Sequence, residues 1–246
     1  MIQVEPKGEV SIIRLDRADK RNALTPKMLA NLCGAIDRAM SAKAIVLSGV
    51  GEVFCAGFDL TLCREDDAVL GDLLTGLSRA VRTIRQAPCP VIASAHGAAI
   101  AGGCALVVAC DIVVTHSQAK LGYPVVRLGI SPAVNAPTLR ATTGDGPVRA
   151  LSLDPGLIDG AEAFRVGLAH HCVDAVGDCE PLAIKLAQQM EQKPRHALAY
   201  TKRWLGQLDG TLDEARLDEA LGVSMGLVGS AEQRERLTEL WKDKRQ

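Results

Sequence analysis

The sequence predicts an α/β fold around a buried, mainly parallel sheet. Apolar runs bounded by turn residues, "AIVLSG" (44–49), "PVIASA" (90–95) and "DIVVTH" (111–116), read as buried strands. The stretches between them place apolar residues at helical spacing. Of the 246 residues 48% are hydrophobic and only 3% aromatic, a balance that suits aliphatic strands lying under helices. Strands separated by helices favour a parallel core over an all-β or all-α arrangement.

The elements follow in order. "EVSIIRLDR" (9–17) is expected to be a strand and "ADKRNAL" (18–24) a loop. Thr25 then caps a helix with Pro26 in its first position, and Leu29, Leu32, Cys33, Ile36, Ala39 and Met40 form its apolar stripe. "EVFCAGFDL" (52–60) reads as a strand ending in a tight turn. Leu70, Leu73, Leu74, Leu77, Val81 and Ile84 mark the inner face of the next helix, and "AGGCALVVAC" (101–110) reads as a buried one. From about residue 181 the texture is helical, with Thr211/Glu214 and Ser230/Gln233 at capping-box spacing. This tail carries Trp204 and Trp241 yet is too thin for a core of its own, so it is expected to pack on the body or on another subunit.

Composition excludes several functions. Lys plus Arg (28) balance Asp plus Glu (29), so no net field recruits nucleic acid or anionic membrane. The N-terminus has no basic-then-apolar run, so a signal or transit peptide is not expected. Eight cysteines in such a chain read as reduced core thiols rather than a disulfide framework. His170, His171, Cys172 and Cys179 fit no common zinc spacing, and no metal site is expected. Val91–Cys110 has the length of a membrane span, but Ala and Gly dominate it and neither flank is basic. A strand, a glycine loop and a buried helix explain it better.

The glycines of "HGAAIAGGCALVVAC" (96–110) raise a chemical question. Gly97 and Gly102 have P-loop spacing, but Gly103-Cys104 replaces the Lys-Ser/Thr that would grip phosphate and magnesium. "GVGEVF" (49–54) lacks the third glycine of a dinucleotide fingerprint. Gly102 and Gly103 stand where a loop enters a helix, so their N–H groups lack intrahelical partners and sit at the positive dipole end. Such a place binds an anion or stabilises one that develops during reaction. Close helix–sheet packing is the other use of the same glycines.

A second stretch, "FCAGFDL" (54–60), also stops at a glycine turn, with Asp59 placed to bond its own turn. In order and separation, "RLDRADKRNAL", "FCAGFDL" and "HGAAIAGGCALVVACD" resemble the enoyl-CoA hydratase/isomerase (crotonase) superfamily, as do "GLIDGAEAFRVGLAHHCVD" and the closing "LWKDKR". The resemblance implies a spiral of ββα units over residues 1–185 with the acyl-CoA site. It also implies a C-terminal helical region, 186–246, that builds trimers or hexamers made of two trimers. The implied ligand is a coenzyme A thioester, with no prosthetic group and a cytoplasmic setting. Backbone N–H groups of Phe58 and Gly102 would form an oxyanion hole for the enolate. Lys20, Arg21, Ala23 and Ala56 would lie near the CoA, completed by Lys244. A loop-holding hydrogen bond is the expected role of His96.

The sequence departs from its relatives at the chemistry. Family hydratases add water with two glutamates; here those positions hold Ala105 and Val125, and Leu121–Arg140 contains no Asp or Glu. General acid–base groups contribute roughly 10²–10⁴ each, so simple hydration is not expected by that route. "YPVVRLGISPA" nevertheless resembles the corresponding segment of methylglutaconyl-CoA-type hydratases. Three readings stay open: enolate chemistry with Glu65, Asp66, Asp67 or Tyr123 carrying the proton; decarboxylation of a malonyl-type CoA, with Arg127 orienting the carboxylate; and acyl-CoA binding without turnover.

Overall fold

The computed structural model describes residues 1–64, 66, 68–154 and 156–243. The body begins with β1 (Ile2–Lys7), β2 (Val10–Leu15), α1 (Pro26–Arg38), β3 (Ala44–Gly49) and α2 (Ala68–Gln86). It continues with β4 (Val91–Ala95), β5 (Ala98–Ile100), α3 (Gly102–Ala109), β6 (Ile112–His116) and β7 (Lys120–Gly122). Next come α4 (Ala136–Thr143), α5 (Asp145–Leu153), β8 (Leu157–Asp159), α6 (Gly160–Arg165), β9 (His171–Val173) and α7 (Cys179–Glu191). The chain closes with α8 (Arg195–Leu208), α9 (Glu214–Met225) and α10 (Ala231–Asp243).

A six-stranded sheet has the order β1-β2-β3-β4-β6-β9, parallel except for β1, and a small second sheet has the order β5-β7-β8. From β4 to β7 successive strands alternate between the sheets: β4 then β5 before α3, β6 then β7 before the next helices. That is one ββα turn after another, the spiral expected. Both faces of the large sheet are covered. Ile13, Ile45, Leu47 and Ala93 join the core under α1 and α2, while Val10, Ile12, Val46 and Ile92 pack against Cys179, Ala183 and Ala187 of α7. This alternation is the period of two, and covering both faces makes the strands nearly all apolar.

The helix predictions hold. Thr25 Oγ1 accepts from Met28 N–H at 3.1 Å, and the stripes of α1 and α2 are buried except for half-buried Met40. Three readings need correction. Residues 52–60 form no regular strand; they make two single bridges, Leu24 with Phe58 and Cys55 with Ala99. Thr211 does not cap α9, because Asp213 takes the Arg216 N–H and Thr211 instead bonds Asp209 and Arg85. At α10, Ser230 Oγ accepts from Gln233 N–H as expected, but Gln233 Oε1 turns to Gly229 N–H. Strand β1 had no strong signal, being exposed on one edge and charged; its pairing with β2 supplies what its sequence lacks.

The tail packs unevenly. Helix α9 lies against α2 and α4, and α10 against the 3-10 turn Pro124–Leu128. Helix α8 is held by Arg195, which donates to the carbonyls of Met40 and Ser41, and by Lys202, whose Nζ donates to the carbonyls of Ile84 and Cys89 and meets Asp111 at 2.7 Å. Its Tyr200, Trp204 and Leu208, four residues apart, are all exposed. Among the described residues no helix is long and apolar enough to cross a membrane, and the 96–114 stretch is β5, α3 and most of β6.

Candidate active site

Two neighbouring segments of chain build the site. Cys55 N–H donates to Ala98 O and Ile100 N–H to Cys55 O, both at 3.0 Å, so the run 54–56 lies parallel to β5 with Cys55 opposite Ala99. Three residues beyond each partner stand Phe58 and Gly102. Parallel strands in register deliver their ends to the same level, so both loops open side by side. The approach is close: a Cβ on Gly57 would lie 3.1 Å from Ile100 O, and one on Gly102 would lie 2.9 Å from the Phe58 ring. Gly57 has φ +98°, a conformation that favours glycine. Ala101, before α3, also has positive φ (+52°), held by its N–H donating to Gly122 O at 2.8 Å. Strain of this kind costs of order 1–3 kcal/mol and is sustained only where the surroundings fix it.

Among the described residues no carbonyl accepts from Phe58 N–H or Gly102 N–H. Gly102 opens α3, where a free N–H is the rule, and the helix dipole adds positive potential. Both residues line one cavity of about 30 Å³. Its wall includes Leu74, Leu77, Ala105, Tyr123, Val125 and Asn135 and, among the described residues, no carboxylate. Two unpaired main-chain donors beside an apolar cavity can receive an oxygen that gains negative charge.

The turns are held by polar side chains. Asp59 Oδ1 accepts from Thr61 N–H and from its hydroxyl, and Oδ2 meets the Arg17 guanidinium at 2.7 Å. Burial pushes the Asp59 carboxyl up, but Thr61 and Arg17 outweigh it and hold the group below the usual carboxylate value. Asn22, fully buried, donates to Val50 O and Val53 O, and its Oδ1 accepts from Arg17 N–H. A depressed carboxyl stabilises the fold above its unfolded pKa and loses that contribution as pH falls through its folded value. We therefore expect Asp59→Asn to cost about 1.5–3 kcal/mol at pH 7. Urea melts from pH 7 to 3 should show the gap between wild type and variant closing below about pH 4; a constant gap refutes this.

The residues singled out from sequence separate into groups. Lys20 and Arg21 are exposed, Ala23 and Ala56 half-buried, and hydrogen bonds from Ala23 N–H to Lys20 O and Ala56 N–H to Arg21 O gather all four beside the Phe58 turn. Tyr123 lines the cavity; its hydroxyl accepts from Asn135 Nδ2 at 2.6 Å, and burial keeps the phenol protonated far above its ordinary pKa. Asp66 is not brought there: it is exposed, and its Oδ1 accepts from Ala68 N–H at the start of α2, which is the capping use of such an acid. Arg127 is likewise exposed and outside the cavity wall. Glu65, Asp67 and Lys244 lie outside the described residues. His96 Nε2 bonds Gly51 O at 3.1 Å, while His116 Nε2 accepts from Gly97 N–H, so both rings hold the loop before β5. His170 Nδ1 accepts from Val113 N–H. Sequence reasoning missed Asn135, a lone amide in an apolar run with no periodic signal, and saw Leu74 and Leu77 only as core.

With this geometry in place, the comparisons decide the family. The enoyl-CoA hydratase/isomerase family model matches residues 5–237. The chain belongs to the enoyl-CoA hydratase/isomerase family. It is 29% identical over 235 residues to a short-chain-enoyl-CoA hydratase of Clostridium acetobutylicum, covering 86% of this chain and 90% of that protein. It is also 29% identical over 233 residues to a mitochondrial methylglutaconyl-CoA hydratase of Mus musculus, covering 92% and 70% respectively. Among solved structures, an enoyl-CoA hydratase/isomerase from Mycobacterium paratuberculosis superposes with a TM-score of 0.88 at 27% identity, over 97% of each chain. The crotonase fold is thus the fold of this chain.

Proposed function

We propose that this family member binds an acyl-CoA thioester with its carbonyl oxygen between Phe58 N–H and Gly102 N–H, and stabilises the enolate formed at the α-carbon. The observation that carries this reading is the pair of unpaired amides, at one level of two parallel segments, beside an apolar cavity. Losing one such donor typically costs about a hundredfold or more in rate. The CoA would run past Lys20, Arg21, Ala23 and Ala56, with Lys244 as a further contact. No prosthetic group is called for.

Ala105 and Val125 cannot move a proton, and Tyr123, fully protonated, is a weak acid in this wall. The reading accordingly excludes water addition by a glutamate pair. A second reading draws on the same wall: decarboxylation of a malonyl-type CoA. There the bond from the α-carbon to the carboxyl carbon breaks, its electron pair enters the enolate, CO₂ leaves, and the α-carbon later takes a proton from water. That step needs no base, and a cavity with no carboxylate among the described residues favours it. Self-association as a trimer or pair of trimers through residues 186–246 is supported by the exposed Tyr200, Trp204 and Leu208 of α8. Eight free cysteines suit a reducing compartment such as the cytoplasm.

Crotonyl-, malonyl- and methylmalonyl-CoA, each followed by calorimetry and product analysis, test these readings. We expect malonyl-CoA to bind, and crotonyl-CoA hydration to stay at background. CO₂ release from malonyl- or methylmalonyl-CoA selects the second reading. Rapid hydration, or no binding to any of the three, refutes the proposal.

A further inference from the structure

Resting on that reading, we infer that the Phe58 side chain sets an upper limit on acyl length, so that the chain selects thioesters with acyl groups of about two or three carbons. Phe58 is used twice. Its main-chain N–H is one of the two free donors, and its ring forms a wall of the same cavity. The ring stands against Gly102: a Cβ there would be 2.9 Å from Phe58 Cε1 and 3.1 Å from Cδ1. The ring therefore lies over the α-carbon next to the second donor, where the first carbons of an acyl group must pass.

Apolar side chains among the described residues line the rest of the wall beside the ring. Leu74 and Leu77 of α2 close one side, fully buried Tyr123 and half-buried Val125 another, and Ile130 and Val134 a third. The cavity of about 30 Å³ holds one or two water molecules. The first carbons beyond the thioester carbonyl fill this space, and the next ones meet the Phe58 ring. A longer chain must displace the half-buried Phe58 ring, which packs against the buried core, and close packing on that side resists the displacement.

Isothermal titration with acetyl-, propionyl-, butyryl-, hexanoyl- and octanoyl-CoA tests this directly, because saturated acyl groups report binding without turnover. Wild type is expected to bind acetyl- and propionyl-CoA at least tenfold more tightly than hexanoyl- and octanoyl-CoA. Phe58→Ala, which keeps the main-chain N–H, should reduce that ratio to about threefold or less. Phe58→Leu should fall between them, and it serves if the alanine variant does not fold, as judged by its melting profile. Equal wild-type affinity across the series overturns the inference while leaving acyl-CoA binding intact. So does an unchanged length profile in both folded variants. Failure of every acyl-CoA to bind overturns the functional reading itself, and the length limit with it.

Discussion

Gly103→Ala is expected to melt about 6–12 °C below wild type, or to fail to accumulate as folded protein. A methyl at this position would stand 2.7 Å from both Cys55 Cβ and the Cys55 carbonyl oxygen. Neither atom is the end of a flexible chain, so backbone must move. The segment that would move is the one whose N–H and C=O pair with β5, so the register bringing Phe58 level with Gly102 is disturbed too. Overpacking of this severity costs roughly 3 kcal/mol, and in a chain of this size each kcal/mol lowers the midpoint by about 2–4 °C. Differential scanning calorimetry reads the first effect and acyl-CoA titration the second. A variant that melts like wild type would mean that α3 can retreat from Cys55 without cost.

Lys202→Met should be nearly as damaging, at a place far from the site. The ammonium is almost fully covered and serves three acceptors: the carbonyls of Ile84 and Cys89, and Asp111 Oδ2 at 2.7 Å. Methionine preserves the length of the side chain and removes all three bonds. Asp111 keeps the Val91 N–H at 2.7 Å and a more distant Arg85, so it is not left wholly unpaired. Breaking a buried ion pair costs roughly 3–5 kcal/mol, and that residual pairing places the expected loss at about 3 kcal/mol. Amide exchange should accelerate across α8, which Lys202 tethers to the sheet, before it does so in α7. Uniform acceleration through the whole chain would show instead that the lysine supports the body as a unit.

Much of the fold was legible because buried strands and amphipathic helices leave strong periodic marks. The stripe of α2 and the runs 44–49, 90–95 and 111–116 needed only apolar spacing. The failures share a cause: they occur where pairing across the chain decides local structure. Residues 52–60 look like a strand because both neighbours of Cys55 are apolar, yet the segment meets β5 at one bridge, turns at Gly57, and meets Leu24 at another through Phe58. Thr211 has the spacing of a cap, but Arg85 and Asp209 compete for its hydroxyl and Asp213 lies closer to the helix. At the site, the glycine turns were visible as turns. Their adjacency was not, since only the register of two segments some forty residues apart creates it. Asn135 and Ile130 reach the wall through a tertiary path that no periodicity encodes.

The matched register of Cys55 and Ala99 has a consequence for how this site tolerates change. The hydrogens proposed to meet the thioester oxygen belong to the peptide chain itself and are set by turn geometry, so most side chains around them can be exchanged without disturbing their position. On the proposed reading Ala105 and Val125 are such exchanges: neither side chain carries a proton, while the Phe58 and Gly102 amides still meet no carbonyl. A scaffold of this sort separates charge stabilisation from proton transfer, and each can be lost or regained independently of the other.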